Sequence, residues 1–185
     1  MVALNPPSID EQFSAIDFNL LAPLDNKNYT LADVSGENGL LVMFICNHCP
    51  FVKSIIDKIV RDTNELKNFG INSVAIMAND VNDYPEDKPE NMVKLANEKN
   101  FSFPYLYDKD QTIAKAYGAV CTPDFFGFGK DLKLKYRGRL DDSGMNKDNA
   151  NAKRELFNAM VEVVNNNNVP AEQIASIGCS IKWIS

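Results

Sequence analysis

The chain has 185 residues, of which 45% are hydrophobic and 24% charged, and carries a net charge of −6. That size and composition suit one globular domain, expected to span 1–185, that buries its core without cross-links; a disordered or collagen-like chain is excluded. Net acidity and scattered Lys and Arg argue against nucleic-acid and anionic-membrane partners, and the apolar run Gly39 to Cys46 is far shorter than the roughly 20 residues of a membrane helix.

Met1 to Gln12 lacks the cationic start and apolar core of a secretory leader, so a cytoplasmic location is expected. In a reducing compartment a C-x-x-C pair points to redox or metal chemistry before a structural bridge. Phe18 to Leu21 and Tyr29 to Leu31 flank the turn cluster Asp25-Asn26-Lys27 and predict a small N-terminal hairpin ahead of the main sheet. Leu40 to Ile45 reads as a central strand covered on both faces. It delivers Cys46 at its C-terminal end.

From Pro50 to Phe69 apolar residues recur at helical spacing, with Gly70 where a C-cap belongs. Val74 to Ala78 is the next strand, Pro89 to Lys99 a helix opened by proline, Tyr105 to Tyr107 a short strand, and Gln111 to Tyr117 a helix stopped by Gly118. Cys121-Thr122-Pro123 follows. Phe125 to Phe128 and Leu132 to Leu140, parted by Gly129-Lys130-Asp131, suit an antiparallel hairpin. A polar loop, Asp141 to Asn151, leads to an amphipathic helix over Ala152 to Val164 and then to the Asn165 to Asn168 tract. The alternation predicts an α/β fold with helices on both faces of a central sheet.

Cys46-Asn47-His48-Cys49-Pro50 joins the end of a buried strand to the start of a long helix, where α/β folds present reactive groups. The free N–H groups and dipole of a helix start stabilise a thiolate, which places the attacking sulfur on Cys46. Cys49, one turn on, is the resolving thiol. His48, the single histidine, stands ready to stabilise the Cys46 thiolate. Two other readings stay open: both cysteines as small core residues, and a zinc or redox-sensing module drawing on Cys121 or Cys179.

The Cys46 to Pro50 motif (C-N-H-C-P), with Gly118-Ala119-Val120-Cys121-Thr122-Pro123, resembles the thioredoxin superfamily, and within it the peroxiredoxin-like AhpC/TSA, or redoxin, branch. Tyr136 to Ser143 and Gly178 to Trp183 look like further signatures of that branch. The resemblance implies a thioredoxin-like fold with a central mixed sheet flanked by helices and a cis Thr122-Pro123 bond facing the redox pair. It also implies thiol-disulfide exchange without cofactor or metal, on a protein or small-molecule disulfide or a peroxide, with a thiol reductant such as thioredoxin or glutathione.

Two departures qualify the resemblance. Gly39 to Ile45 contains no ionisable residue, so proton transfer falls to water, His48 or a group from elsewhere. Aligning the reactive cysteine of peroxiredoxins with Cys49 puts Cys46 where their hydroxyl residue belongs and Val42 where their proline belongs. The peroxide-binding motif is therefore absent as written; a thiol peroxidase on the same scaffold is the alternative activity, with Arg137 or Arg139 as its cation, although on a strand with Lys133 and Lys135 both also read as surface residues. Cys121 is expected near the pair, as a third redox thiol or as a packed one. Cys179 lies in the tail, where the resemblance to peroxiredoxins implies a resolving cysteine, but it is expected to be structural or incidental, since Cys49 already resolves Cys46 locally.

Overall fold

The computed structural model describes residues 3–4, 12–146, 148–149, 151–166, 168–169 and 171–184. A two-residue strand, β1 (Ala3–Leu4), precedes the hairpin of β2 (Asn19–Ala22) and β3 (Lys27–Thr30). The short helix α1 (Leu31–Val34) is closed by a reciprocal capping box between Thr30 and Asp33. Then come β4 (Gly39–Phe44) and α2 (Pro50–Leu66), the latter drawn out by a tighter turn over Lys67–Phe69. Gly70 ends it at φ 71°, a left-handed conformation that glycine adopts without a side-chain clash.

β5 (Ile71–Met77), α3 (Pro89–Glu98), β6 (Tyr105–Tyr107) and α4 (Thr112–Tyr117) continue the alternation. β7 (Cys121–Thr122), β8 (Asp124–Gly129), β9 (Leu134–Arg137), α5 (Glu155–Asn166) and β10 (Gly178–Ser180) complete the described elements.

Seven strands form one mixed sheet in the order β3-β2-β6-β5-β4-β8-β9. β4, β5 and β6 are parallel neighbours, and the remaining pairings are antiparallel. Every residue of β4 is buried, which is why it reads as an unbroken apolar run. Its side chains alternate between two cores, as strand geometry requires. Leu41, Met43 and Ile45 join α2 and α5 on one face, and Leu40, Val42 and Phe44 join Phe18, Val34, Ala114 and Tyr117 on the other. This is the thioredoxin-like arrangement anticipated above.

The differences are local. The N-terminal hairpin does not stand ahead of the sheet but forms its edge, through Leu21 opposite Tyr107. The strand expected over Leu132 to Leu140 is confined to β9, since Leu132 takes a positive φ of 55° in the turn. The last helix starts at Glu155, later than periodicity suggests, because the main chain before it is held by the Lys153 N–H donating to Asp142. Parts of the Asp141 to Asn151 loop, the asparagine tract and the Met1 to Gln12 segment lie outside the described residues.

The tail, for which the sequence predicts no strand, forms β10 and enters a second, three-stranded sheet in the order β1-β10-β7. Cys179 lies opposite Thr122 and Ser180 opposite Cys121. Beyond β10, Ile181 N–H donates to the Val120 carbonyl, and Gln111 grips the chain at the Lys182 carbonyl and the Ile184 N–H. Among the described residues no helix is long and apolar enough to cross a membrane.

Candidate active site

β4 carries the chain to Ile45, whose N–H still bonds the Ile76 carbonyl, and Cys46 follows at the strand's carboxyl end. Cys49 is the N-cap of α2, with Pro50 in the first helical position, where a missing N–H costs nothing. Both cysteines are essentially fully buried. Facing them is Thr122, joined to Pro123 by a cis peptide as the resemblance implied. The Thr122 hydroxyl lies 3.3 Å from Cys46 Sγ, and its carbonyl 3.1 Å from Cys49 Sγ. Cys179 Sγ completes the cluster, 3.0 Å from Cys49 Sγ.

The electrostatics of this cluster favour the anion on Cys49 over Cys46. The Cys46 thiol hydrogen-bonds to it and, against the cost of burial, the Cys179 thiol and the Val52 and Cys179 amides add to that pull, bringing Cys49 down to about 5. The same bond to Cys49 raises Cys46 well above an ordinary thiol, and burial and the Asp87 carboxylate act in the same sense. Before ionisation the Cys49 S–H has the Thr122 carbonyl as an acceptor; afterwards that oxygen opposes the charge and the donors outweigh it. Cys49, not Cys46, occupies the N-cap of α2, which is where a helix start favours an anion.

His48 is brought to the site as expected, with a partner that sequence reasoning missed. Its Nδ1 lies 2.6 Å from an Asp87 carboxylate oxygen and 3.9 Å from Cys46 Sγ, and its ring stacks on Tyr84. Buried Asp87 also accepts from the Asn47 and His48 amides and from Asn79 Nδ2. Burial disfavours its charge, but the bonds from His48 and Asn79 prevail and hold it below the ordinary carboxylate range. The bond to Asp87 in turn raises His48, against desolvation. Here is the ionisable group that the apolar β4 lacks, supplied from the 85–87 turn. The signal for it was faint: Asn79 and the Asp87 turn follow the carboxyl end of β5, beside that of β4, where α/β folds collect functional groups.

Of the remaining predicted residues, Cys121 is fully buried beside the Pro123 carbonyl, and burial raises its thiol far above the usual range. It has the environment of a packed thiol. Arg137 is not a surface residue: it is buried, bonded to Asp124 at 2.9 Å and to the Gly118 carbonyl at 2.8 Å, and lies over the Phe126 ring. Arg139 grips Glu155 with two hydrogen bonds at 2.6 and 2.9 Å. Both guanidinium groups are thus engaged in ion pairs with carboxylates. Cys46 Sγ, a His48 ring nitrogen and an Asp87 oxygen lie within 4.8 Å of one another, close enough to share a metal ion. The Asp87 oxygen and His48 Nδ1 of that group are already joined by a short hydrogen bond of 2.6 Å.

A mixed sheet with a C-x-x-C pair at a strand-to-helix turn, facing a cis-proline, defines a thioredoxin-like protein. The chain belongs to the AhpC/TSA family, whose profile matches residues 12–137. Among solved structures it is similar to an uncharacterized conserved protein from Geobacillus kaustophilus, 44% identical over all of this chain and 97% of that one, with a TM-score of 0.93. A hypothetical protein from Sinorhizobium meliloti is 35% identical over 98% of both chains, with a TM-score of 0.90. The thioredoxin domain of a thiol-disulfide oxidoreductase from Bacteroides vulgatus shares the fold, at 17% identity over 85% of this chain and all of that one, with a TM-score of 0.64. No curated protein matches.

Proposed function

We propose that this chain is a cytoplasmic thiol-disulfide oxidoreductase that passes electrons from its Cys46/Cys49 dithiol to the disulfide of a protein or small molecule. A thiol reductant such as thioredoxin or glutathione then restores the dithiol, and no further cofactor is required. The observation that carries the reading is the Cys46/Cys49 pair buried at the start of α2, with Cys49 at the N-cap and both sulfurs against Thr122 of the cis Thr122-Pro123 bond. In the forward step Cys49 attacks one substrate sulfur and the other leaves as a thiolate, taking up a proton. Cys46 then attacks Cys49 Sγ and frees the second substrate thiol, leaving a Cys46–Cys49 disulfide. His48, held by Asp87, is the group placed to receive the Cys46 proton. An apolar pocket lined by Phe51, Ile55, Pro123, Phe125 and Ile177 lies beside the cis-proline and suits the apolar part of a substrate.

A peroxidase is less well supported, because Arg137 and Arg139 are committed to Asp124 and Glu155. Exchange with glutathione disulfide and with a reporter protein disulfide tests the proposal. Cys49→Ser is expected to abolish adduct formation, while Cys46→Ser keeps the first step. Adducts trapped on Cys46 in Cys49→Ser would restore the order expected from the motif, and exchange undiminished in both variants would refute the function. Oxidation by hydrogen peroxide is expected to be no faster than that of a free thiol.

A further inference from the structure

Three donor atoms of different kinds converge on one side of the redox pair. His48 Nδ1 meets both of its neighbours, Cys46 Sγ at 3.9 Å and Asp87 Oδ2 at 2.6 Å, and thiol, ring and carboxylate lie within 4.8 Å of one another. Among the described residues no other three acidic, histidine or thiol groups gather as closely. Each donor is held from outside the trio. Asp87 accepts from the Asn47 and His48 amides on one oxygen and from Asn79 Nδ2 on the other, and Asn79 is itself fixed by the Lys182 N–H. Cys46 Sγ lies against the Thr122 hydroxyl, and the His48 ring stacks on Tyr84. Cys46 and Asp87 are buried, while the edge of His48 reaches the surface and gives the trio its opening.

We propose that this trio is a zinc site of the reduced chain, with Cys46 Sγ, His48 Nδ1 and Asp87 Oδ2 as ligands and a fourth position open to water. Thiolate, imidazole and carboxylate are donors that zinc combines, at about 2.3, 2.0–2.1 and 2.0–2.2 Å. Oxygen donors alone would suit magnesium or calcium, and sulfur donors alone copper(I). Tetrahedral zinc at those lengths sets sulfur and nitrogen about 3.6 Å apart and nitrogen and oxygen about 3.4 Å apart. The first separation is nearly met, and the second asks the ring to slide by less than about 1 Å over Tyr84. On binding, the Cys46 thiol proton and the proton between His48 and Asp87 leave to solvent, and the ring keeps the one on Nε2. Asn79 then remains as the outer partner that orients the Asp87 carboxylate. Zinc also holds the sulfur that resolves the mixed disulfide, so the loaded chain stops after the first step of exchange; that consequence rests on the exchange reading above, and the site does not.

Zinc added to the reduced chain under anaerobic conditions tests this, read by competition with a chromophoric chelator and by X-ray absorption at the zinc edge. One zinc per chain is expected, bound by one sulfur and by nitrogen and oxygen donors. His48→Ala and Asp87→Asn should each weaken binding by more than the roughly 10–100-fold that loss of an outer partner costs, while Cys49→Ser/Cys179→Ser should still bind the ion. A shell of two or more sulfurs, affinity unchanged in His48→Ala and Asp87→Asn, binding that needs Cys49 or Cys179, or no zinc retained against the chelator overturns the proposal. The absorption spectrum is taken on the wild-type chain, so it decides where a substitution disturbs the fold. One zinc in the expected shell, in a chain that exchanges no disulfide with or without the ion, sustains the site and refutes the exchange reading alone.

Discussion

An anion on Cys49 draws on donors of different origin: a thiol three residues back, a thiol from the tail, and an amide of the first turn of α2. Hydrogen bonds to charged groups are worth about 1.5–3 kcal/mol, which is about 1 to 2 pH units. The ultraviolet thiolate signal is therefore expected to titrate near pH 5 and to vanish in Cys49→Ser. Cys46→Ala should move the midpoint up by about 1 to 2 pH units. A thiol whose folded value is depressed stabilises the fold above its unfolded value of about 8.5 and loses that contribution as pH falls through the folded value. At this scale Cys46, Cys49, His48 and Pro50 were legible because their relation is one of spacing within five residues. Asp87 and Cys179 were not, since they reach the pair from 39 and 130 residues away and no periodicity announces that meeting.

Elements turn those residues into a site by close approach. Gly178→Ala would drive a methyl group onto the Thr122 carbonyl. Overpacking of this kind costs about 1–3 kcal/mol, and the expected result is a loosened β10 with faster alkylation of Cys49. Behind the cis-proline, β8 and β9 are tied by Arg137 on Asp124. Arg137→Met strands a buried carboxylate and is expected to cost about 3–5 kcal/mol at neutral pH, measured by denaturant unfolding. Desolvation raises Asp124 to about 6 even with its partner. A raised carboxyl has its stabilising contribution below the unfolded value and loses it as pH rises through the folded one, so the deficit of the variant should shrink toward acid pH. The helices and β4 were readable because apolar period and length decide them. Arg137 looked like a surface residue because its strand also carries Lys133 and Lys135; its burial comes from Asp124 on the neighbouring strand, a pairing that strand composition does not encode.

Across the whole molecule, redox state and folding stability are linked through the same thiolate. Stabilising the anion in the reduced chain makes its disulfide a stronger oxidant, and every 30 mV is about 1.4 kcal/mol. The Cys46–Cys49 couple is accordingly expected to lie above the roughly −270 mV of thioredoxin, and the reduced protein to melt at a higher temperature than the oxidised one. Glutathione equilibria and calorimetry of both forms check this. A lower melting temperature for the reduced form would contradict the placement of charge on Cys49.

The threading of residues 178–184 through Thr122, Asn79 and Gln111 also bears on how the chain is made. Contacts between distant parts of a sequence form late. Until those residues dock on the sheet, Cys49 lacks the neighbour that Cys179 supplies, so a partly folded chain exposes a reactive sulfur that the folded one shields. Oxidative damage during folding should then fall on Cys49 first.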